Sequence, residues 1–380
     1  MIGRRGFMTV LGGGVILAAG AGGWAATRDP AAARAAWQMA GVEYDDDRMR
    51  WLSWAILAPN PHNRQPWVAD LGTPGEITLR VDLDRRLPHT DPYDRQITIG
   101  LGAFLELARM AAAEEGVTLD IEAFPDGADD TTLDLRPIAR LRIVEGAATP
   151  DPLFAHARDR RTNRTAFDTA RPVPEAALAA MALAAAPLHV GMTTALPRVE
   201  ALRDIAWRAM LVEMNTPATA MESVELTRIG RAEIEANPDG ISLAGPLMEG
   251  LGLVGLVSRD SMADPSSMGF QSMMDAMKPP FDTAMGFFWI ATEDNDRQAQ
   301  IAAGRAYVRA NLAATGEGVA VQPLSQALQE FPEMAASYDE LAAELAAPAG
   351  MRVLMFVRTG YAAPVKGSPR WPLASRLVQA

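Results

Sequence analysis

Hydrophobic and polar residues alternate with two different periods along this chain. Glu76–Leu83 and Ala139–Val144 alternate at every second position, which predicts β-strands, and Met351–Gly360 predicts another strand near the C-terminus. Gln96–Gly116 instead repeats its apolar residues at the spacing of an amphipathic helix and ends at a glycine. Helices and short strands continue to alternate after Tyr44, so the pattern predicts an α+β fold.

An internal repeat relates two of the helical segments. Gly102–Val117 aligns without a gap on Gly304–Val319, and both end in the residues Glu-Gly-Val. Alanine-rich helices that end at glycine can look alike by composition alone, but we favour a duplication, with two similar halves packed as a pseudo-dimer. The joint Ala148–Pro152 divides them, which predicts one half over residues 44–150 and the other over residues 151–380.

The N-terminus has the features of an export segment. Arg4 and Arg5 precede an uncharged run, rich in glycine and alanine, that extends from Gly6 to Thr27; this pattern resembles a twin-arginine signal. We therefore expect residues 1–27 to direct export to the periplasm, followed by an alanine-rich tether over residues 28–43. The alternative is a membrane anchor formed by the uncleaved signal, because the uncharged run is just long enough to span a bilayer.

Composition narrows the chemistry further. The chain has 380 residues and a formal net charge of -12, which argues against a nucleic-acid partner. It contains no cysteine and only four histidines, so disulfides, thiol catalysis and a metal site are not expected. The zinc-protease, nucleophile-elbow and P-loop motifs do not occur in the sequence, and we assign no side chain as catalytic.

A proline-rich loop forms the first candidate site. Ala58–Trp67 reads APNPHNRQPW, in which prolines restrict the backbone and Asn63 offers both a hydrogen-bond donor and an acceptor. The ordinary alternative is a turn held in place by a buried tryptophan. The loop resembles that of the FMN-dependent nitroreductases, usually written P-S-x-x-N-x-Q-P-W, which lies along the isoalloxazine ring. The resemblance implies flavin contacts from Pro59, Asn60, Pro61, Asn63 and Gln65.

A basic segment forms the second candidate site. Arg160, Thr162 and Arg164 stand at alternate positions, so in an extended chain their side chains can converge on one phosphate. On its own, a basic triplet is more often a solvated surface patch. The segment resembles the R-x-S-x-R phosphate motif of the same family. The resemblance also implies a phosphate contact from Arg370, although Trp371 replaces the second arginine that is usual there.

Further features resemble the tandem, Acg-like branch of this family, in which one chain supplies both sides of the flavin site. The resemblance implies two nitroreductase-like halves, each a mixed sheet flanked by helices. The resemblance implies contacts near the ring from Gln322, Pro323, Leu324 and Ser325. Only one ring loop and one phosphate segment occur, so we expect one FMN per chain and an intramolecular pseudo-dimer, hence a monomer. The methionine-rich region 241–288 is either core or a lid over the flavin.

The resemblance implies an oxidoreductase that passes two electrons through flavin N5 to a nitro compound, a quinone or a similar small-molecule electron acceptor. Its electron donor would be NAD(P)H, or a membrane partner if the protein is exported, because NAD(P)H is cytoplasmic. Two alternatives stay open. One is a non-catalytic protein that binds or sequesters flavin under a closed lid, and the other is an interaction protein that has lost the flavin.

Overall fold

The computed structural model describes residues 28–253, 257–348 and 350–378. The predicted export signal over residues 1–27 therefore lies outside the described residues. Within the described ranges, no helix has both the length and the apolar composition that crossing a bilayer requires.

The first half is a four-stranded sheet with helices packed against it. Its helices and strands, in chain order, are α1 (Ala35–Met39), α2 (Asp47–Ala55), β1 (Trp67–Asp70), β2 (Glu76–Val81), α3 (Arg95–Glu114), β3 (Val117–Ala123) and β4 (Ala139–Ala147). The strands lie in the order β1-β2-β4-β3, and each pairing is antiparallel. Alternate residues of β2 are buried, which matches the period of the sequence.

The second half repeats this plan and adds helices between its first two sheet strands. It begins with α4 (Glu175–Ala184), β5 (His189–Thr193), α5 (Leu196–Asn215), α6 (Pro217–Glu225), β6 (Thr227–Ile229) and α7 (Gly230–Ala236). It continues with β7 (Ile241–Leu243), α8 (Pro246–Leu253), α9 (Arg259–Ala263), α10 (Met268–Asp282), β8 (Gly286–Thr292), α11 (Arg297–Gly316), β9 (Ala320–Pro323), α12 (Ala335–Leu345) and β10 (Arg352–Gly360). Its main sheet has the order β5-β8-β10-β9.

The α+β fold with two similar halves is thus confirmed, with one correction. We expected mixed sheets, but each pairing within the two four-stranded sheets is antiparallel. The connection from β1 to β2 shows why, because so short a turn can join only antiparallel neighbours. A single parallel bridge joins Ala69 in β1 to Leu377. The C-terminal tail of the second half therefore crosses onto the sheet of the first.

The two halves meet along α3 and α11, the helices that contain the internal repeat. A Cβ added at Gly102 would lie 2.3 Å from the carbonyl oxygen of Ile301, and one added at Gly304 would lie 1.9 Å from that of Ile99. Gly102 and Gly304 are equivalent positions of the repeat, and so are Ile99 and Ile301. Each helix therefore makes the same contact on the other, as across a two-fold interface. Glycine at both positions allows the two helix backbones to touch, which explains why the aligned glycines are needed.

A buried carboxylate joins the same two helices. Glu106 accepts hydrogen bonds from Arg109 in α3 at 2.6 Å, and from Arg305 and Arg309 in α11 at 2.9 and 3.0 Å. Burial alone would raise the pKa of Glu106, but Arg109 and Arg305 outweigh it and lower that pKa to about 2. Glu106 therefore stays charged and links the halves through a satisfied ionic cluster.

Residues 28–43 are packed against the first half, in contrast to the predicted tether. The buried residues here include Ala33, Ala36, Trp37 and Ala40. They recur at helical spacing, so one short helix can bury them together. Arg158 donates to the carbonyl oxygens of Trp37 and Ala40, both at 2.7 Å, and so satisfies the end of this helix.

The methionine-rich region 241–288 is partly core. Phe270, Met274 and Phe281 of α10 are buried in a cluster that includes residues of α5. β8 begins at Gly286 and is buried along its whole length in the interior of the second sheet. Residues 286–288 therefore belong to the sheet and not to the predicted lid. For β7, α8 and α9 the lid stays a prediction.

Candidate functional site

The loop after α2 has an unusual backbone conformation. His62, Asn63 and Gln65 have φ angles of 45°, 52° and 52°, which non-glycine residues rarely adopt. Pro61 and Pro66 further restrict the chain here. Backbone strain of this kind collects at binding sites, where the surrounding structure maintains it. The loop is therefore a candidate site by its geometry as well as by its sequence.

Side-chain amides maintain this conformation. Asn60 Oδ1 accepts a hydrogen bond from the backbone N–H of Gln65 at 2.8 Å. The fully buried amide of Gln65 donates to the carbonyl oxygen of Pro238 at 2.7 Å and accepts from the backbone N–H of Trp371 at 2.8 Å. Gln65 thus binds the loop to one segment of the second half and to the C-terminal tail.

Asn63 is used in the same way, which differs from the expectation that its amide is presented to a flavin. It donates to the carbonyl oxygen of Pro369 at 3.0 Å and accepts from Arg370. Both ends of the amide are therefore occupied by the C-terminal tail. Pro59, Pro61 and Asn63 are half-buried, so one face of the loop is still accessible to a ligand.

Arg160 is a buried cation with unused donors. Its side chain is among the most buried of the chain, and Nη2 donates to the carbonyl oxygen of Leu57 at 2.7 Å. Nε and Nη1 are enclosed but have no hydrogen-bond partner among the described residues. Burial lowers the pKa of Arg160 to about 10, so the guanidinium is charged at neutral pH. Unpaired donors on a buried charge are costly, which points to an anionic ligand here.

Arg370 adds a second buried cation at this place. It donates to the carbonyl oxygens of Ile56 at 2.8 Å and Ala58 at 3.0 Å, so the C-terminal tail closes on the end of α2. Burial, followed by the charges of Arg160 and Arg161, lowers the pKa of Arg370 to about 9. Neither Arg160 nor Arg370 forms an ion pair with a carboxylate in the part of the chain that the structure describes. Each nitrogen of Arg370 already donates to an oxygen of the protein, so Arg370 offers an anion its charge, whereas Arg160 offers unused donors as well.

Thr162 and Arg160 both lie beside the hydroxyl of Tyr307, whereas Arg164 acts on His62, so the expected convergence of the three on one phosphate stays a prediction. Thr162 hydrogen-bonds the hydroxyl of the buried Tyr307. Arg164 is exposed, and its charge lowers the pKa of His62. Desolvation by the surrounding protein lowers the pKa of Arg164 itself. Residues 160–164 form an irregular segment and not a strand, so the alternation of a strand does not fix where their side chains point.

Arg358, which the sequence reasoning missed, holds the basic segment in place. It is fully buried in β10 and donates to the carbonyl oxygens of Asn163 at 3.1 Å and Thr165 at 2.7 Å. It also donates to Gln322 Oε1 at 2.8 Å. Burial lowers the pKa of Arg358 to about 9. An arginine inside an apolar strand was the signal that could have revealed this role.

Residues 322–325 lie beside the basic segment but have few free groups. Gln322 is engaged by Arg358. Leu324 is buried, and its backbone N–H donates to the carbonyl oxygen of Phe356 at 2.9 Å. Pro323 and Ser325 are half-buried. A contact between this segment and a flavin ring stays a prediction, and the Leu324 N–H is already paired within the protein.

A chain of polar side chains beside the loop also escaped the sequence reasoning. His62 Nε2 lies 3.1 Å from Ser223 Oγ, and Ser223 Oγ lies 3.2 Å from Glu213 Oε1. Gln329 donates to Glu213 Oε2 at 2.9 Å. These residues come from four separate segments, so no local motif could have shown the chain. The one available signal was a histidine, from a set of four, within the candidate loop.

Comparison with known proteins finds similarity that extends over most of the chain. No protein-family model matches. Rv3131 of Mycobacterium tuberculosis strain H37Rv, whose name describes it provisionally as an NAD(P)H nitroreductase, is 28% identical over 338 residues, which cover 86% of this chain and 88% of Rv3131. The acg protein of the same strain, named in the same way, is 40% identical over 77 residues, or 20% of this chain and 22% of acg.

Two solved structures also resemble the chain. A protein of Anabaena variabilis, described provisionally as a nitroreductase, has a TM-score of 0.44 and 11% identity, over 85% of this chain and 90% of its own. The FMN-dependent nitroreductase NfnB from Mycobacterium smegmatis, solved with NADPH, has a TM-score of 0.34 and 18% identity, over 57% of this chain and 92% of its own. These superpositions are loose, and the fold described above rests on its own sheets and helices.

Proposed function

We propose that this protein is an FMN-dependent oxidoreductase of the nitroreductase type. Arg160 and Arg370 lie far apart in the sequence, but both donate to carbonyl oxygens at the end of α2, directly before the proline-rich loop. This arrangement is the observation that carries the proposal. Two buried cations without a carboxylate partner lie beside a strained loop that is accessible on one face. This arrangement suits a ligand with an anionic group at one end and a flat ring at the other. The similarity to Rv3131 over most of the chain supports the same activity.

The residues present fit FMN. The two unpaired donors of Arg160 and the charge of Arg370 suit a phosphate, which forms charge-assisted hydrogen bonds. The ring of Trp37 lies 5.7 Å from both guanidinium carbons and forms one wall. The accessible face of residues 59–63 is suited to a flat ring. We therefore assign the phosphate to Arg160 and Arg370, and place Arg164 at the ring end.

When bound, FMN supplies two-electron transfer between a donor and a nitro compound, a quinone or a similar acceptor. The chain positions the ring and acceptor and provides charge. Arg164 acts on His62 and forms no ion pair within the described residues, so it can stabilise negative charge that develops at the ring end. The names of the relatives refer to NAD(P)H, which supports a nicotinamide donor.

We also propose that residues 1–27 direct export. The site combines residues of both halves, so the chain must fold before FMN can bind, and the twin-arginine route carries folded proteins. After export, a membrane partner would have to deliver the electrons, because free NAD(P)H is absent from that compartment, and NADPH would then serve as a donor only in vitro. Replacing Arg4 and Arg5 would then retain the protein in the cytoplasm.

Anaerobic titration of the purified protein tests the redox function. We expect both NADPH and dithionite to bleach the flavin absorbance, and an added quinone to restore it. Recovery by quinone is the required result, because it shows that electrons leave the protein. Bleaching by dithionite alone, with no recovery after quinone is added, would contradict the proposal and favour a flavin-sequestering protein.

A further inference from the structure

A continuous line of hydrogen-bonding side chains runs from the protein interior to the proline-rich loop. Its inner end is Glu213 in α5, held by Gln329 at 2.9 Å. Ser223 in α6 stands between Glu213 and His62, at 3.2 and 3.1 Å. His62 Nδ1 contacts no other polar group in the described ranges and is not sealed from solvent, so it forms the outer end.

The inner end is suited to storing a proton. Glu213 is 3% exposed, and burial raises the pKa of its carboxyl group. Hydrogen bonds from Gln329, Ser223 and Gln326 oppose this rise, whereas the carboxylate of Glu222 adds to it. The charged group on the other side is Arg164; desolvation lowers its pKa, and the charge of Glu213 partly opposes that effect. Glu213 therefore keeps its proton to a higher pH than an exposed glutamate does.

The outer end is suited to passing a proton on, but not to storing one. Burial, then the charges of Arg164 and Arg64, lowers the pKa of His62 to about 4. His62 is therefore neutral at physiological pH, with one ring nitrogen protonated and the other free to accept. A neutral imidazole can release its proton readily only when its other nitrogen receives one. Ser223 is positioned to supply that proton at Nε2.

We propose that Glu213, Ser223 and His62 form a proton relay that serves the electron acceptor at the proposed flavin site. The proposal rests on the proposed function, because it assigns the relay to that reaction. A quinone that becomes a hydroquinone takes up an electron pair and two protons, of which one arrives with the electron pair as hydride. The relay supplies the other.

Each bond that forms in the relay is matched by a bond that breaks. The N–H bond at His62 Nδ1 breaks and a bond forms to the acceptor oxygen, while Nε2 takes the hydroxyl proton of Ser223. The Ser223 oxygen takes the carboxyl proton of Glu213, which becomes a carboxylate. After the product leaves, a proton from water binds His62 Nδ1 and the same steps run in reverse. The electron pair comes from the donor of the proposed function.

The coupling can be measured without turnover, by nuclear magnetic resonance of the protein as purified with ¹⁵N-labelled histidine. We expect His62 to titrate near pH 4 and to show a second, smaller shift at higher pH, where Glu213 loses its proton. Glu213→Gln and Ser223→Ala should abolish the second shift, and Ser223→Thr, which keeps the hydroxyl, should retain it. A second shift that persists in Ser223→Ala, or is missing from the natural protein, would overturn the relay.

Rapid-mixing kinetics provide the second test. The reduced holoprotein is mixed with a quinone, which needs protons, and with ferricyanide, which takes electrons alone. We expect Ser223→Ala to slow quinone reduction by about 10²-fold, a common contribution of a general acid, and to leave ferricyanide reduction unchanged. Ser223→Thr should restore the quinone rate. Equal slowing with both acceptors would show a merely structural role. Protein without flavin would instead refute the proposed function, and resonance titration would still test the relay.

Discussion

Gly304→Ala should lower the free energy of unfolding by about 3 kcal/mol or more, as overpacking against an immovable backbone does. The added methyl group would lie 1.9 Å from the carbonyl oxygen of Ile99, so α3 and α11 must separate to accept it. Alanine also favours a helix over glycine by about 1 kcal/mol. That gain is smaller than the cost of parting the two halves. Urea unfolding followed by circular dichroism measures the difference.

The pseudo-symmetry of the crossing can be tested with the equivalent variant. Gly102→Ala should cost a similar amount, because its methyl group meets the carbonyl oxygen of Ile301. The double variant should cost clearly less than the sum, since one separation of the helices relieves both clashes. Gly72→Ala in an exposed loop is the control, with an expected change within about 0.5 kcal/mol. Strict additivity would mean that the two glycines do not share one interface.

Arg160→Met should weaken FMN binding about ten- to a hundred-fold, because charge-assisted hydrogen bonds contribute about 1.5–3 kcal/mol each. Riboflavin, which lacks the phosphate, should bind about as before. The flavin-free variant should be as stable as the natural flavin-free protein or more so, because methionine replaces a buried and uncompensated charge. Fluorescence titration with the two flavins measures the affinities, and thermal unfolding measures the stability.

Two neighbouring arginines are the comparison. Arg161→Met should change neither affinity much, because the Arg161 guanidinium donates to the carbonyl oxygens of Arg158, Arg160 and Val365. Arg164→Ala should weaken FMN and riboflavin alike, since the charge of Arg164 acts on His62 and is not among those that shift the pKa of Arg160. If Arg160→Met weakened both flavins equally, the assignment of the phosphate to Arg160 would be wrong.

The sequence could predict those features whose residues lie close together along the chain. The strand β2 alternates at every second residue and buries alternate side chains, so its period is local information. The crossing of α3 and α11 needs glycine in each helix, and this requirement leaves matching glycines at Gly102 and Gly304. The proline-rich loop is likewise continuous in sequence, so its conformational restriction could be inferred before its contacts were known.

The features that sequence could not predict depend on distant residues. An alanine-rich segment suggested a tether, but Trp37 anchors it beside Arg160, which no local pattern indicates. The basic segment suggested a strand, yet Arg358 binds the carbonyl oxygens of Asn163 and Thr165, and the segment follows an irregular path. The polar line from Glu213 to His62 joins helices of one half to a loop of the other, so only folding brings it together.

One flavin site should be built from both halves of one chain. Heat release of the flavin from purified protein, with chromatography and phosphate analysis, tests this claim most directly. We predict one FMN per chain, because the sequence contains one proline-rich loop and one basic segment of this kind. Protein without flavin, FAD in place of FMN, or close to two flavins per chain would contradict it.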